Sequence, residues 1–275
     1  MKTKIAFLLI LVSIVASAQN QRFIYELNYK KDSTSSLITK ENYHLDIQDN
    51  VAKYYIRDYF VADSLMVNNI PFPVNMKLNT STITSHDLGK STFNELDLLE
   101  NTVLKVPSQD SQDWKLVDEK KKLGNLTVQK ATTNWGGRNW TAWFTPEIPI
   151  HEGPYKFRGL PGLIIELSDS GNNYYWILAK SHKLEGKQKN SFLDMAEKIA
   201  VPTTREKYVS TKLKFYESPV NFIQNSVGSS NSSSFYLNDG TVVNKDNKRE
   251  INEQLRSTIK KYNNPIDLKS AIPYP

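Results

Sequence analysis

The stretch 126–144, LTVQKATTNWGGRNWTAWF, decides the fold. Leu126 to Thr133 and Asn139 to Phe144 are rich in threonine, aromatic and β-branched residues, the composition of half-buried strands. Gly136-Gly137 between them can take the positive φ that a tight hairpin turn demands. The arrangement returns twice downstream. Leu163 to Leu167 and Tyr174 to Lys180 flank Asp169-Ser170-Gly171, and Phe235 to Leu237 and Thr241 to Val243 flank Asn238-Asp239-Gly240. Upstream, Phe23, Tyr25 and Leu27 alternate with Ile24, Glu26 and Asn28, and Tyr43, Leu45 and Ile47 alternate with His44 and Asp46. Ala52 to Met66 reads as one long strand or two joined strands. Thr102 to Val106 and Trp114 to Val117 read as short ones. Neighbouring strands joined by short turns imply an antiparallel meander and not a βαβ sheet.

Two helices are expected near the end. Thr203-Thr204-Arg205-Glu206 offers a hydroxyl cap followed by a glutamate, and Tyr208, Leu213, Phe215 and Tyr216 run on toward Pro219. Lys248 to Tyr262 carries Ile251, Leu255, Ile259 and Tyr262 on one apolar stripe, stopped by Asn263-Asn264-Pro265. Ser226 to Ser234 reads as a flexible loop. The expected fold class is mainly β with minor α: an antiparallel meander forming a curved or open-barrel sheet, with late helices packed on one face and a groove left that suits lipid or peptide binding.

Composition narrows the function classes. The chain has 275 residues, of which 39% are hydrophobic, 11% aromatic and 23% charged, enough to bury a core and too apolar for disorder. The absence of cysteine excludes a disulfide framework, a thiolate metal site, a cysteine nucleophile and a lipidated N-terminal cysteine. Lys2 and Lys4 precede an apolar run from Ile5 to Ala16, and Ala16-Ser17-Ala18 offers a small-residue cleavage site. Residues 1–18 therefore read as a signal peptide, with an uncleaved N-terminal anchor as the alternative. The run is too short to span a bilayer, which takes about 20 residues. The mature chain, 19–275, is expected to be a single soluble exported domain, in the periplasm or on the outer surface, with no transmembrane segment. Loss of Lys2 and Lys4 reduces the net charge from +6 to +4, too small and dispersed an excess for a nucleic-acid partner. Nine basic residues against four acidic ones between Lys180 and Lys214 form either a solvated surface or a dock for an anionic partner or lipid headgroup.

The densest segment runs from Trp135 to Leu167. Trp135, Trp140, Trp143 and Phe144 are followed by Pro146, Pro149, Pro154 and Pro161, which hold a loop extended or turned without using backbone donors. Leu160-Pro161-Gly162-Leu163 has proline and glycine at the centre of a type II turn, with positive φ at Gly162. Leu163-Ile164-Ile165 then enters a strand apolar on both faces, hence central. The loop either braces that strand or walls a ligand groove. In the second reading Trp143, Tyr155 and Phe157 line the groove, with Arg158 and Lys156 at its rim.

These residues carry a resemblance. Thr141-Ala142-Trp143-Phe144-Thr145-Pro146-Glu147-Ile148-Pro149-Ile150, Gly153-Pro154-Tyr155, and Gly159-Leu160-Pro161-Gly162-Leu163-Ile164 resemble the signature of the GLPGLI family, exported proteins of the Bacteroidota. The similarity extends back through 124–131, GNLTVQKA, and forward to Asn264-Pro265-Ile266-Asp267-Leu268. Many members carry a cysteine where this chain has Val128, so no redox or disulfide role transfers. The resemblance implies compartment and kinship, and no activity. Asp32-Ser33-Thr34 and Asp63-Ser64-Leu65 are similar to the short acidic O-glycosylation sequon used on exported proteins of that phylum. Asn125-Leu126-Thr127 and Asn139-Trp140-Thr141 match the N-glycosylation sequon, which is expected to be empty in a bacterial periplasm.

The search for catalytic chemistry is brief. His44, His86, His151 and His182 are scattered, without metal-ligand spacing, and there is no GxSxG elbow, P-loop or GxGxxG. No cofactor, metal or catalytic residue is assigned. Glu166 is expected at the surface or paired with arginine. The leading reading is a non-enzymatic exported binding or accessory protein of the envelope, with a lipid or peptide favoured as ligand and an outer-membrane protein as a further partner class. The alternative is a periplasmic hydrolase using Glu147, His151 and Glu152, the one cluster resembling a metal site or an acid–base pair.

Overall fold

The computed structural model describes residues 20–73, 82–100, 102–226, 234–237 and 239–275. The expected signal peptide and most of the serine-rich loop lie outside the described residues. Strands β1 (Gln21–Tyr29), β2 (Thr39–Gln48) and β3 (Val51–Ile56) lead into helix α1 (Arg57–Val67). Then come β4 (Ile83–Asp87), β5 (Thr92–Leu99), β6 (Thr102–Gln109), β7 (Lys115–Leu123), β8 (Leu126–Trp135) and β9 (Arg138–Thr145). Beyond the proline-rich loop follow β10 (Leu163–Asp169), β11 (Tyr174–Lys183), α2 (Ser191–Ile199) and the short β12 (Val201–Pro202). The chain closes with α3 (Arg205–Glu217), α4 (Pro219–Ser226), β13 (Ser234–Tyr236), β14 (Val242–Asn244) and α5 (Lys248–Lys261).

The protein is mainly β, as expected. One open sheet runs β12-β6-β5-β4-β3-β2-β1-β11-β10-β9-β8-β7, antiparallel except for the parallel β12–β6 pair. Each strand from β6 round to β7 pairs with its sequence neighbour, apart from the β1–β11 pairing that joins the two halves. The β8–β9 hairpin forms as its sequence dictates: Gly136 and Gly137 have φ of 61° and 78°, the double positive φ of a primed turn, and Trp135 faces Arg138. The sheet is strongly curled. Neighbouring residues Lys156 and Phe157 touch Ser108 of β6 and Trp135 of β8. Those strands stand nine spacings apart, roughly 43 Å in a flat sheet at about 4.8 Å per strand.

One expectation fails between residues 57 and 66. The aromatic run after Ile56 continues as α1 and not as strand. Tyr59, Ala62 and the partly buried Met66 recur at helical spacing and face the core, where Tyr59 stacks on Phe192 of α2. Aromatic β-propensity yields to this tertiary packing. Helices α1 and α2 cover one face of β2 and β3, with Phe60 against His44 and Arg22 and Glu197 paired with Lys53. Asp63, within a sequon-like triplet, accepts the backbone N–H of Ser191 at the start of α2.

The two expected late helices form as α3 and α5, and α2 and α4 are additional to them. Thr204 caps α3 through Lys207 N, and burial of Ile251 on α5 helps build a second apolar cluster with Val220, Ile223, Phe235 and Val243. This unit lies over the opposite face, where Tyr208 and Lys212 of α3 bond Asp97 of β5.

His44 lies on the α1 side, buried beside the Arg22–Asp46 ion pair, with its Nδ1 unpartnered among the described residues. Burial, and then Arg22, lowers its pKa from 6.5 to about 4. The unfolded chain takes up this proton near pH 6.5 and the folded chain only near pH 4. Protonation therefore favours unfolding, and stability falls as pH drops through that window by about 2–3 kcal/mol. Urea titrations at pH 7 and pH 4.5 should show that loss reduced in His44→Phe; an equal acid loss in both proteins assigns it elsewhere.

Candidate functional site

The proline-rich loop inserts inside the curled sheet. Phe157 is 1% exposed, its ring 4.6 Å from Trp140, 5.0 Å from Trp135 and 6.2 Å from Trp176. Beside it Lys156 is buried, with Nζ 2.7 Å from Glu95 Oε1, 2.8 Å from Asp110 Oδ2 and 3.0 Å from Ser108 Oγ. Three ammonium protons meet three acceptors, so this cation is satisfied internally. Arg158 donates from Nη1 to Lys90 O at 2.6 Å, while its own carbonyl accepts Trp114 Nε1 at 2.8 Å. The two cations expected at a groove rim tie the loop to the β4–β6 side of the sheet.

Trp143 belongs to the other face. It follows Trp140 by three positions on β9, an odd step that reverses direction. Its ring lies 4.1 Å under Lys121 Nζ, and Lys121 pairs with Glu166 at 3.0 Å. The structure thus does not bring Trp143 together with Tyr155 and Phe157, and Glu166 is paired with lysine.

Residues 159–164 act as the clasp of the loop. Gly159 N donates to His151 O, Leu163 N to Ile148 O and Ile164 N to Glu152 O. The turn is tighter than the expected type II: Gly162 N donates to Leu160 O at 2.7 Å, across Pro161 alone. Positive φ at Gly162 is as expected, at 148°.

Glu147, His151 and Glu152 do not converge. Glu147 accepts the backbone N–H of Thr127 at 2.8 Å, His151 is exposed, and Glu152 is buried between His86 and Arg158. His86 Nε2 stands 3.0 Å from Glu152 Oε2, out of line for a hydrogen bond. Among the described residues no group of three or more His, Asp or Glu is placed to hold a metal ion.

The loop leaves part of the interior open. A cavity of about 580 Å³ lies between the inner face of the sheet and the roof made by α3, α5 and residues 263–274. Ten of its lining side chains are aromatic, among them Tyr29, Tyr54, Tyr155 and Trp176. Tyr155 is the only one of the five expected groove residues in that lining. It has φ of 58°, a conformation uncommon for a bulky residue, and burial pushes its hydroxyl pKa well up, so it stays neutral.

The roof is latched by polar contacts. Asp97 accepts Lys212 Nζ at 2.6 Å and Tyr208 OH at 2.7 Å. Desolvation works against the Asp97 carboxylate, yet Lys212 and these hydrogen bonds hold it below its ordinary range. Arg205 donates to Ser270 O. At the far side buried Arg138 donates to Asn264 Oδ1 at 2.6 Å, Pro265 O at 2.8 Å, Ile266 O at 3.0 Å and Asp169 Oδ2 at 3.1 Å. Sequence reasoning expected a groove between the curved sheet and a helix but not the residues that line it. Its available signals were the Ile259–Tyr262 end of the apolar stripe and the 264–268 segment, both of which contribute to the roof.

Residues 137–166, which span β9, the loop and the start of β10, match a family model described as a protein of unknown function (Porph_ging). No curated protein matches the chain. Among solved structures, PNGF-II in one crystal form aligns at TM-score 0.51 and 13% identity, over 70% of this chain and 32% of that one. In a second form it aligns at 0.49 and 13%, over 79% and 34%. A LolA superfamily protein from Nitrosomonas europaea aligns at 0.29 and 7%, over 64% and 90%. The chain spans about a third of the length of the PNGF-II chains, and at 13% identity the likeness in the first form is one of fold alone.

Proposed function

We propose that the protein is an exported, non-enzymatic binding protein of the bacterial envelope that holds a lipid or peptide in the roofed cavity. The observation that carries this reading is the cavity itself, about 580 Å³ of aromatic-lined space, within the size range of small-ligand sites. The proline-rich loop serves as a structural plug that sets the floor of the cavity, and Tyr155 is its contact with the ligand. Among the described residues no helix is long and apolar enough to cross a membrane. The basic, apolar and small-residue pattern of 1–18 supports export.

Purification of the native protein from its envelope without denaturant tests both halves. N-terminal sequencing should begin at Gln19, and an intact Met1 overturns cleavage after Ala18. Native mass spectrometry should show a bound mass that is absent from Ala271→Trp, a substitution that fills the cavity from its roof. Protein that carries no adduct in either form removes the binding reading.

A further inference from the structure

We infer that the cavity takes a hydrocarbon chain bearing an anionic head, as in a fatty acid, a phospholipid or an acylated peptide. The inference rests on the binding reading above and narrows its ligand class. It comes from an account of where most of the polar atoms on the sheet side of the cavity are already engaged.

The sheet side of the cavity presents five tyrosine hydroxyls, four of which spend their proton on an acceptor within the protein. Tyr29 and Tyr43 donate to Glu41, Tyr155 to Glu95 and Tyr174 to Asn264 O, while Tyr54 accepts Trp176 Nε1 at 2.9 Å. Glu95 and Asp97 are likewise held, by Lys156 and by Lys212. The backbone offers nothing more, because β1, β2, β3 and β11 each have a paired neighbour on both sides. A peptide buried here would strip water from its own N–H and C=O groups and find few replacements. At Tyr174 both ring faces are committed, stacked between Tyr29 at 5.8 Å and Trp176 at 5.4 Å, so a sugar ring has no free face there to lie on. A hydrocarbon chain asks for no hydrogen bonds and gains from burial against ring edges, Leu27, Ile259 and Ile272.

Charge at the mouth supplies the other half. Tyr262, 49% exposed, marks the opening, with Lys261 Nζ 6.0 Å from its ring and the partly exposed Lys31 in the lining; the Asp32 carboxylate lies within electrostatic reach of Lys261, and Asp267 also lines the cavity. A carboxylate or phosphate held there stays in contact with water while its chain is buried.

The test is calorimetric titration of the mature chain with palmitate, hexadecanol, phosphatidylglycerol vesicles, and matched acylated and unacylated peptides. Palmitate should bind, with affinity reduced at least tenfold in Ala271→Trp at unchanged melting temperature. Lys31→Glu should weaken palmitate and leave hexadecanol unaffected. The vesicle and acylated-peptide arms identify which source of the chain is preferred. Should Ala271→Trp fail to fold, Ile259→Trp fills the same space from α5. Binding of the unacylated peptide, sensitive to the filling variant, without palmitate binding overturns the hydrocarbon assignment and keeps the cavity reading. Palmitate binding indifferent to both filling variants also overturns it. No binding by any probe removes both.

Discussion

Gly162→Val should cost more than about 4 kcal/mol and leave little folded protein at 37 °C, because the substitution meets backbone on a path that cannot yield. A Cβ at this position would sit 2.0 Å from Thr145 O and 2.6 Å from Thr145 C. Thr145 is fixed as the partner of Leu163 in the β9–β10 ladder, and its hydroxyl donates to Thr127 O. Relief therefore requires opening the sheet where the loop enters it. The φ of 148° adds strain for any β-branched residue. Gly159→Ala is the matched control: its φ is 90°, but nothing lies within 4 Å of the added carbon. It should lose only about 1–2 kcal/mol from backbone strain. Urea unfolding of the two variants separates steric exclusion from conformational preference. A Gly162→Val protein as stable as the parent would show that the clasp can be rebuilt.

Arg138→Met should cost about 3–5 kcal/mol, the range for removing one partner of a buried ion pair. The guanidinium is the shared donor for Asp169, Asn264 and the carbonyls of Pro265 and Ile266. Without it Asp169, 4% exposed, keeps its backbone bonds from Asn173 and Tyr174 but loses its counter-charge. Asn264 would keep its link to Lys30 O and lose its anchor on the β8–β9 hairpin. A double-mutant cycle with Asn264→Ala should be strongly non-additive, since both changes break one network. Additive losses would show that Arg138 and Asn264 act separately. Because residues 263–267 also line the cavity, the roof should loosen in the same variant, seen as faster amide exchange in that segment.

Much of the fold was legible because its signals are local. Period-two alternation placed β1 and β2, the Gly136-Gly137 pair placed the β8–β9 turn, and the 3.6-residue stripe with a proline stop placed α5. Residues 57–66 were misread because aromatic residues serve a strand or a buried helix equally, and only the Tyr59–Phe192 contact arbitrates. The candidate site was barely legible. Clustering of aromatic and basic residues in 143–158 suggested a recognition surface, yet Phe157 and Lys156 are buried and Trp143 faces the other way. Composition states which side chains are near one another in the chain; it does not state which acceptors wait for them from Glu95, Ser108 and Asp110.

By itself the sequence determined an antiparallel, aromatic-rich sheet and two late helices, α3 with its Thr204 cap and α5 with its proline stop, because hydrophobic period, turn residues and caps act within a few positions of each other. Only the tertiary structure decided that β1 pairs with β11, that the sheet curls about the proline-rich loop, and that a cavity remains beneath α3 and α5. Those features join residues more than a hundred positions apart, such as Tyr25 with Ile164 and Arg138 with Asn264. Such contacts are selected by the summed burial and hydrogen-bond satisfaction of the whole chain, which no local pattern encodes.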